Sequence, residues 1–262
     1  MTWDLFAIRY ATNPRRVARD NFLLPPDDPH DAPMPMDFFV WCAVRDGRAF
    51  VIDSGADQAT CTKRGHDFLR CPTEGLHAIG VDAAQVEGVI STHLHWDHAG
   101  NFEKFPRARF HCQAGEIQHA VGPCMCHPHM RKPYDVEQVV SLVRLVHSDR
   151  VTFHGEESEI APGIAVRRVG GHAPGLQVVR VLTRRGWVVL ASDAMHFLAN
   201  GSTGNPFPVV VDVREYLDAV ALLPSLAESP AHVIPGHDPA VMAMYPAAAD
   251  GVIRLDVPPL AA

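Results

Sequence analysis

Residues 91–100 read STHLHWDHAG and place four potential metal ligands within six positions. They follow a short apolar run, so we expect them in a loop at the end of a strand. On an extended stretch His93 and His95 point to the same side, because side chains alternate along a strand. If the chain then turns into a helix, Asp97 and His98 face a second position nearby. The motif therefore predicts two neighbouring cation sites.

Three further residues of ligand type stand at the ends of other predicted strands. His172 follows two glycines, Asp193 ends an apolar run at 187–192, and His237 follows one at 232–234. Each of them alone is compatible with an ordinary polar residue of a loop. Because strand ends can meet at one edge of a pair of sheets, we expect all three to join the loop at 91–100.

Length and composition are those of an ordinary globular protein. The 262 residues are 47% hydrophobic and 20% charged, so most of the chain has enough apolar surface to fold. The 30 acidic and 23 basic residues leave a formal net charge of -7, which argues against a nucleic-acid partner. Repeats, low-complexity tracts and linkers are absent from the sequence, so we expect one domain over residues 1–262.

The sequence also bears on the cellular compartment. No apolar run approaches the roughly 20 residues that a membrane span needs, so we expect no membrane partner. Asp4 and Arg9 interrupt the apolar N-terminus, and a signal peptide is not expected. The six cysteines lack the spacing of a disulfide scaffold. Reduced thiols and a cytoplasmic location are therefore the expectation.

Apolar runs separated by turn signals predict an α+β protein. The dipeptide Asp46-Gly47 separates two of these runs and is a strong hairpin signal. Each run of strands needs a helical layer to cover it, which predicts two sheets between helices. The predicted strands are 3–11, 38–45, 48–53, 86–92, 107–112, 164–169, 177–183, 187–192 and 232–234, and the predicted helices are 57–80, 114–121 and 136–146.

A further helix is predicted to begin after Asp212. The Asp212 side chain can cap the free N–H groups of the first turn, and Glu215 can reach back to the cap. Pro224 is expected to kink or end this helix. Residues 13–37 are rich in Pro, Asp and Arg, and we expect them to be irregular.

The complete ligand pattern resembles the metallo-β-lactamase superfamily. The likeness extends from the Asp53-Ser54-Gly55 turn to His237 and includes HxHxDH, a His after glycines, an Asp ending a strand and a late Gly-His. It implies an αββα sandwich, with two mixed β-sheets covered by helices and a dinuclear metal site at one edge. It also implies the ligands: His93, His95 and His172 for one ion, Asp97, His98 and His237 for the other, and Asp193 as the bridge.

The ligand types implied by this resemblance bear on the choice of metal. Five imidazoles and two carboxylates suit two zinc ions, with cobalt, manganese or iron as alternatives. Zinc lowers the pKa of its bound water to about 7, so the resemblance implies hydrolysis by a hydroxide that bridges the two ions. We expect Asp53 to orient a ligand histidine through its other ring nitrogen, the alternative being that it shapes the turn.

Within the superfamily the sequence resembles the N-acyl homoserine lactonase branch, which implies an enzyme that opens a lactone ring. Asp193 stands where the commonest β-lactamases carry Cys. The 25 residues after His237 are too few for the glutathione-binding domain of glyoxalase II, and the acidic charge argues against a nuclease. A thioesterase of the glyoxalase II type, another ester or amide hydrolase, and a metal-binding sensor or structural relative without catalysis stay as alternatives.

One position departs from the lactonase pattern. Those lactonases carry a Tyr three residues after the bridging Asp, whereas this sequence has His196 there. His196 can donate a hydrogen bond to the substrate, or it can support the metal ligands without contacting the substrate, and both roles stay open. Together with Asp97 and Asp193 it forms the expected catalytic set. The expected partner is a small lactone or ester, and a homodimer is an open alternative because relatives often form dimers.

Other candidate residues have less specific patterns. Residues 124–129 read CMCHPH and either hold a structural zinc or line the pocket entrance. His111 and His154 are expected to be isolated histidines at the surface or in the core. Residues that could line a pocket or simply pack are Met34, Met36, Phe38, Trp96, Phe197, Asn205 and Phe207.

Overall fold

The computed structural model describes residues 2–25 and 31–260, whose strands form two mixed β-sheets. The strands are β1 (Asp4–Asn13), β2 (Met36–Arg45), β3 (Arg48–Ile52), β4 (Asp67–Phe68), β5 (Gly88–Ile90), β6 (Arg109–Gln113), β7 (Val151–His154), β8 (Glu157–Ala161), β9 (Ile164–Arg168), β10 (Gln177–Thr183), β11 (Gly186–Ser192), β12 (Val233–Pro235), β13 (Ala247–Ala249) and β14 (Val252–Arg254). The helices are α1 (Gln58–Lys63), α2 (Pro72–Ala78), α3 (Ala114–Ala120), α4 (Pro128–Arg131), α5 (Val136–His147), α6 (Leu198–Thr203), α7 (Val213–Leu226) and α8 (Ala240–Met244).

The larger sheet has the strand order β13-β14-β1-β2-β3-β5-β6-β7, and β4 also pairs with β1. The pairs from β13 to β3 are antiparallel, whereas those from β3 to β7 are parallel. The smaller sheet has the order β12-β11-β10-β9-β8, and its β11–β12 pair is parallel. Both sheets therefore contain parallel strands, whose carboxyl ends lead into the loops described below.

Three apolar clusters show how the layers stack. The cluster between the sheets includes Trp41 of β2 and Val181 of β10. A second cluster packs the outer face of the larger sheet against helices and includes Leu76 of α2. A third packs the smaller sheet against α7 and includes Val189 and Leu223. The expected order of helix, sheet, sheet and helix layers is confirmed.

The hairpin between β2 and β3 has the predicted turn. Arg45 pairs with Arg48, and the two residues between them, Asp46 and Gly47, have φ angles of 51° and 76°. Both values lie in the left-handed region that a two-residue hairpin loop requires, which Asp-Gly tolerates better than most dipeptides. This hairpin sets the register of β3, the strand that leads to Asp53.

Two predicted helices differ in detail from the structure. The helix predicted at 57–80 is divided, because α1 ends at Lys63, β4 follows, and Pro72 begins α2. Helix α7 begins as predicted, with the Asp212 carboxylate accepting a hydrogen bond from the Glu215 N–H at 2.9 Å. It continues two residues past Pro224, which lies in its last turn.

Several short elements were not predicted, namely β7, β8, β13, β14, α4, α6 and α8. Strand β8 reads ESEIA, and its alternating charged residues face solvent, so the apolar signal is weak. Part of the segment predicted to be irregular, residues 26–30, lies outside the described residues. The rest contains a single short 3₁₀ turn, Ala18–Asp20, and β2 begins at Met36.

The helices are short compared with the thickness of a bilayer. The longest in the described ranges, α7, has 14 residues, whereas a membrane span needs about 20. None of the helices within 2–25 and 31–260 is both long and apolar enough to cross a membrane.

Candidate metal centre

The residues that the sequence predicted as metal ligands or catalytic residues lie together at one edge of the paired sheets. The loop after β5 contributes four of them, the turn between β9 and β10 contributes one, and the segments after β11 and β12 contribute the rest. Every one of these residues is between 1% and 7% exposed, so the cluster is largely buried. The residues are His93, His95, Asp97, His98, His172, Asp193, His196 and His237.

The first group of donors combines the loop after β5 with the turn after β9. The Nδ1 atom of His95 lies 2.8 Å from the Nε2 atom of His172. The His93 and His95 rings are 4.5 Å apart between centroids, on the same side of the loop as expected. Side-chain donor atoms of His93, His95, His172 and Asp193 all lie within 4.8 Å of one another.

The second group lies on the other side of Asp193. The Oδ2 atom of Asp97 lies 3.5 Å from His98 Nε2 and 3.7 Å from His237 Nε2. Donor atoms of these three residues also lie within 4.8 Å of one another. The sequence therefore predicted which side chains share each group, although their roles as ligands stay a prediction.

The two oxygens of Asp193 face different groups. Oδ1 lies 3.1 Å from His98 Nε2 and 3.0 Å from His237 Nε2. Oδ2 lies 3.1 Å from His172 Nε2 and 3.7 Å from His93 Nε2. A carboxylate in this orientation can contact two cations at once, one through each oxygen.

Asp53 orients one histidine of each group. The Nδ1–H of His98 donates to Asp53 Oδ2 at 2.8 Å. The hydroxyl of Thr92 also donates to Oδ2, at 2.8 Å, and lies 3.1 Å from His93 Nδ1, whose N–H can donate to it. Because the Nδ1 sides are occupied, the Nε2 atoms of both histidines face the cluster. The sequence predicted a role for Asp53 and missed Thr92.

His237 and His172 are held by contacts that no sequence pattern revealed. The Nδ1–H of His237 donates to the backbone oxygen of Asp37 at 2.8 Å. Glu215 accepts the Gly171 N–H at 2.9 Å instead of reaching back to the helix cap, so that part of the capping prediction is wrong. Gly171 has a φ of +80°, and a Cβ there would lie 2.4 Å from the Tyr216 backbone nitrogen. Only glycine allows the His172 turn to approach α7 this closely.

Burial and mutual charge set the protonation of the cluster. Burial lowers the pKa of His93 and His95 well below its usual value, and neighbouring histidines lower it further. For His98, burial alone would lower the pKa, but Asp193, Asp97 and Asp53 together raise it well above its usual value. For Asp193, burial would raise the pKa, but the surrounding histidines outweigh it and hold the pKa well below its usual value.

The donor set fits bound cations. The Nε2 atoms of His93 and His98 are buried and have no hydrogen-bond partner within the described residues. Imidazole nitrogens also face one another at hydrogen-bond distance, as in the pair formed by His95 and His172. Buried polar atoms normally find partners, so these unpartnered nitrogens beside carboxylates point to a cation between them. Nitrogen and carboxylate donors of this kind suit zinc.

His196 lies against the Asp193 carboxylate. Its Nε2 atom is 2.9 Å from Asp193 Oδ2, and its ring stacks on Phe207 with centroids 3.8 Å apart and an interplanar angle of 9°. Burial lowers the pKa of His196 to about 3. Asp193, His196 and His237 form a third group of donors within 4.8 Å, so the ring is part of the cluster rather than of the rim.

The other candidates divide into neighbours of the cluster and residues away from it. Phe38 packs edge-on against the His237 ring, with centroids 5.2 Å apart. Asn205 bonds the backbone of Leu24 through both side-chain atoms. His111 and His154 are not isolated, because their rings share a 2.9 Å contact. Within residues 2–25 and 31–260, the segment 124–129 contributes to no group of three or more metal donors.

Known proteins share both the sequence pattern and the fold. A family model described as the metallo-beta-lactamase superfamily matches residues 37–246. The N-acyl homoserine lactonase AiiB of Agrobacterium fabrum is 31% identical over 170 residues, which are 63% of this chain and 61% of AiiB. The chain thus spans less than two thirds of that relative. The N-acyl homoserine lactonase AttM of Azorhizobium caulinodans is 26% identical over 226 residues, covering 80% of this chain and 84% of AttM.

A solved structure extends this likeness to three dimensions. A crystal structure of a quorum-quenching N-acyl homoserine lactone lactonase superimposes with a TM-score of 0.73 at 19% identity. The superposition covers 92% of this chain and 94% of the other. At this level of identity the likeness concerns the fold.

Proposed function

The chain belongs to the metallo-β-lactamase superfamily, and on that premise we propose that it is a metal-dependent hydrolase that opens a lactone ring. The observation that carries the proposal is the buried Asp193, whose two oxygens face two separate groups of ligand-type side chains. The relatives named N-acyl homoserine lactonases support a lactone as the substrate class. An acyl homoserine lactone is the first substrate to test, and its hydrolysis would make the enzyme quorum-quenching.

We propose two zinc ions as the cofactor, with cobalt, manganese or iron as alternatives. The bound ions would supply hydroxide at neutral pH and draw electron density from the lactone carbonyl oxygen. Asp193 would contact both ions, which matches the orientation of its oxygens. The ligands proposed for one ion are His93, His95 and His172, and those for the other are Asp97, His98 and His237.

The chain itself supplies orientation and a proton route. In lactone hydrolysis a bond forms between the water oxygen and the carbonyl carbon, and the bond from that carbon to the ring oxygen breaks. The proton lost by the water must reach the ring oxygen. We propose that the Asp193–His196 pair holds it, between Oδ2 and Nε2 at 2.9 Å, and then delivers it. Asp97 fixes the second group of ligands through contacts with His98 and His237.

A surface cleft lies beyond the aromatic residues that pack on His237. It has a volume of about 530 Å³, and His66 forms part of its wall. The His66 ring packs on Phe38, which in turn packs on His237, so the Phe38 ring separates the cleft from the centre. Arg15 and Asp67 line the cleft and pair with each other at 2.9 Å.

Three features of the molecule extend the proposal. We propose that residues 1–262 form one domain, because β1 and β14, from opposite ends of the chain, pair in one sheet. We place the protein in the cytoplasm, where its six cysteines, all free in the structure, would stay reduced. A homodimer is proposed as an alternative to the monomer, to be decided by light scattering.

A hydrolysis assay with a pH indicator tests the proposal. The zinc-loaded protein would be assayed with acyl homoserine lactones of several chain lengths, plain γ- and δ-lactones, S-lactoylglutathione and a β-lactam. We expect acid release from lactones and its loss after chelation. Turnover of the thioester alone would identify a thioesterase. A protein that binds two ions and hydrolyses none of the panel would contradict the proposed function.

A further inference from the structure

The buried Glu116 holds together the two loops that carry the first group of donors. Glu116 lies on α3 and is 1% exposed. Its Oε1 atom accepts the backbone N–H of Leu94 at 3.1 Å, and its Oε2 atom accepts the backbone N–H of Gly175 at 3.0 Å. Leu94 lies between His93 and His95 in the sequence, and Gly175 lies three residues after His172. One carboxylate thus bonds both loops.

A third donor links Glu116 to the His95 ring. The hydroxyl of Tyr134 donates to Glu116 Oε1 at 3.0 Å. The Tyr134 ring packs edge-on against the His95 ring, with centroids 4.7 Å apart and an interplanar angle of 83°. The backbone N–H of Trp96 also donates to the Pro133 oxygen at 2.9 Å, which fastens the same segment to the loop. His95 is therefore held through its backbone and through its ring.

The packing around Glu116 leaves no room for adjustment. A Cβ on Gly175 would lie 2.4 Å from both the Cβ and the backbone nitrogen of Glu116. Because the nearest atoms include backbone, they cannot swing aside as the end of a flexible side chain can. The His172 turn is therefore docked directly on the first turn of α3.

The hydrogen bonds to Glu116 explain why a carboxylate is buried at this place. All three donors to Glu116 are neutral, so its negative charge has no compensating cation among them. Burying such a charge is costly, and an apolar side chain could fill the same space. A carboxylate has an advantage here because it accepts from donors on three separate segments, which no single neutral side chain does with acceptor atoms alone.

We propose that Glu116 is a positioning residue that sets the distance between His95 and His172 and thereby the affinity of the first metal position. The inference rests on the proposed function, since it requires that these histidines bind a metal ion. The His95 Nδ1 and His172 Nε2 atoms are 2.8 Å apart in the structure. They would move apart to bind an ion between them, while Glu116 holds the two loops at a fixed distance. Residues that orient metal ligands typically change metal affinity by about 10–100-fold when substituted.

The test compares Glu116→Gln with a matched surface variant, Glu103→Gln. Glu103→Gln removes the same negative charge, but from a side chain that is 74% exposed. Gln keeps the shape of Glu116 and turns one acceptor oxygen into an NH₂ group that faces a donor. Both variants and the wild type would be titrated with Zn²⁺ against a chromophoric chelator, and with Co²⁺ to record the spectrum of each position. Thermal unfolding of the metal-free proteins would report stability separately.

We expect Glu116→Gln to weaken one of the two metal affinities about 10–100-fold and to leave the other within about twofold. The Co²⁺ spectrum of that position would change, whereas Glu103→Gln would match the wild type. Equal affinities in Glu116→Gln and wild type would overturn the inference. So would an equal loss at both positions that follows the loss of thermal stability, because that result describes a structural role only.

Tyr134→Phe is a second variant that does not depend on the folding of Glu116→Gln. It removes one hydrogen bond to Glu116 and keeps the ring on His95. We expect a smaller loss at the same metal position, about three- to tenfold, and an unchanged affinity would count against the inference. The wild-type data separate the two proposals. Two tightly bound ions without lactone hydrolysis would contradict the proposed function, while the variants would still decide the role of Glu116.

Discussion

The Nε2 atom of His196 lies 2.9 Å from the Oδ2 atom of Asp193, the same oxygen that faces His172 at 3.1 Å. Its ring is enclosed between Phe207 and His237, at centroid distances of 3.8 and 5.2 Å. The imidazole is thus fixed in position before any substrate binds. This arrangement favours action on the Asp193 carboxylate over a flexible contact with the substrate.

Two substitutions of His196 distinguish the contribution of its hydrogen-bond donor from that of its ring packing. His196→Phe keeps the stacking on Phe207 and removes the donor, whereas His196→Gln keeps a side-chain N–H donor. We expect His196→Phe to lower kcat about 10²-fold or more with little change in KM, because proton transfer by a positioned side chain contributes about 10²–10⁴-fold. His196→Gln should recover part of the loss. Steady-state kinetics with metal analysis decides, and full activity of His196→Phe would remove His196 from the mechanism.

The Oδ2 atom of Asp53 accepts a hydrogen bond from His98 and, through the Thr92 hydroxyl, also supports His93. In Asp53→Asn the NH₂ group replaces either Oδ2, which accepts from His98 and the Thr92 hydroxyl, or Oδ1, which accepts the Thr92 backbone N–H at 2.7 Å, so at least one hydrogen bond is lost. We expect both metal affinities to fall about 10–100-fold. Equilibrium dialysis against a chelator measures both affinities.

A matched control for Asp53→Asn is Asp57→Asn. Asp57 caps α1 by accepting the Thr60 N–H at 2.7 Å, and Asn is an equally good cap. Its metal affinities and activity should equal those of the wild type. A selective loss at one position in Asp53→Asn would contradict the role in both groups that we assign to this carboxylate.

Removal of metal should also destabilise the fold. The cluster places six histidines and two aspartates in a buried volume, where they are costly without cations. At free metal a thousandfold above Kd, binding stabilises by about 4 kcal/mol, which raises Tm by roughly 10 °C for a chain of this size. Calorimetry before and after chelation, with zinc added back, checks this value. A Tm that does not respond to zinc would show that the donors bind no ion tightly.

The His111–His154 pair predicts a pH effect away from the metal centre. Burial, together with the neighbouring His154 and Arg109, lowers the pKa of His111 to about 4. Because the unfolded chain binds the proton from about pH 6.5 downwards, stability is fully present above that pH and is lost as the pH falls towards 4. We expect the wild type to lose about 1–2 kcal/mol more than His111→Gln between pH 7 and pH 5.

Urea unfolding of the metal-free proteins at pH 7 and pH 5 measures this difference. Histidines of the metal centre also respond to acid, but they are common to both proteins and cancel in the comparison. A pH dependence that is the same for wild type and His111→Gln would show that His111 titrates normally in the folded state.

The site residues could be found in the sequence because they follow a local rule. His93, His95, Asp97 and His98 lie within one loop, so their spacing alone carries information about their geometry. Asp193 and His237 are recognisable because each follows a buried apolar strand. By contrast, β8 was missed because its charged residues face solvent and the apolar alternation is weak.

The residues that orient the donors could not be found in this way. Glu116 is 22 positions from Leu94 and 59 from Gly175, and nothing in its own segment distinguishes it from any other helical Glu. Glu215 carried a clear capping signal, yet its carboxylate bonds Gly171 because the His172 turn packs on the start of α7. A local preference worth about 1 kcal/mol is easily replaced by a tertiary contact.

The sequence by itself determined the layered α+β fold, the family and the set of side chains that gather at one sheet edge, because these depend on apolar periodicity and short-range spacing. Only the tertiary structure decided which oxygen of Asp193 faces which histidines, that His196 bonds this carboxylate, and that Asp53 and Glu116 hold the loops. Those contacts join segments far apart in the chain. Their distances are fixed by the packing of two sheets and their helices, which no local pattern encodes.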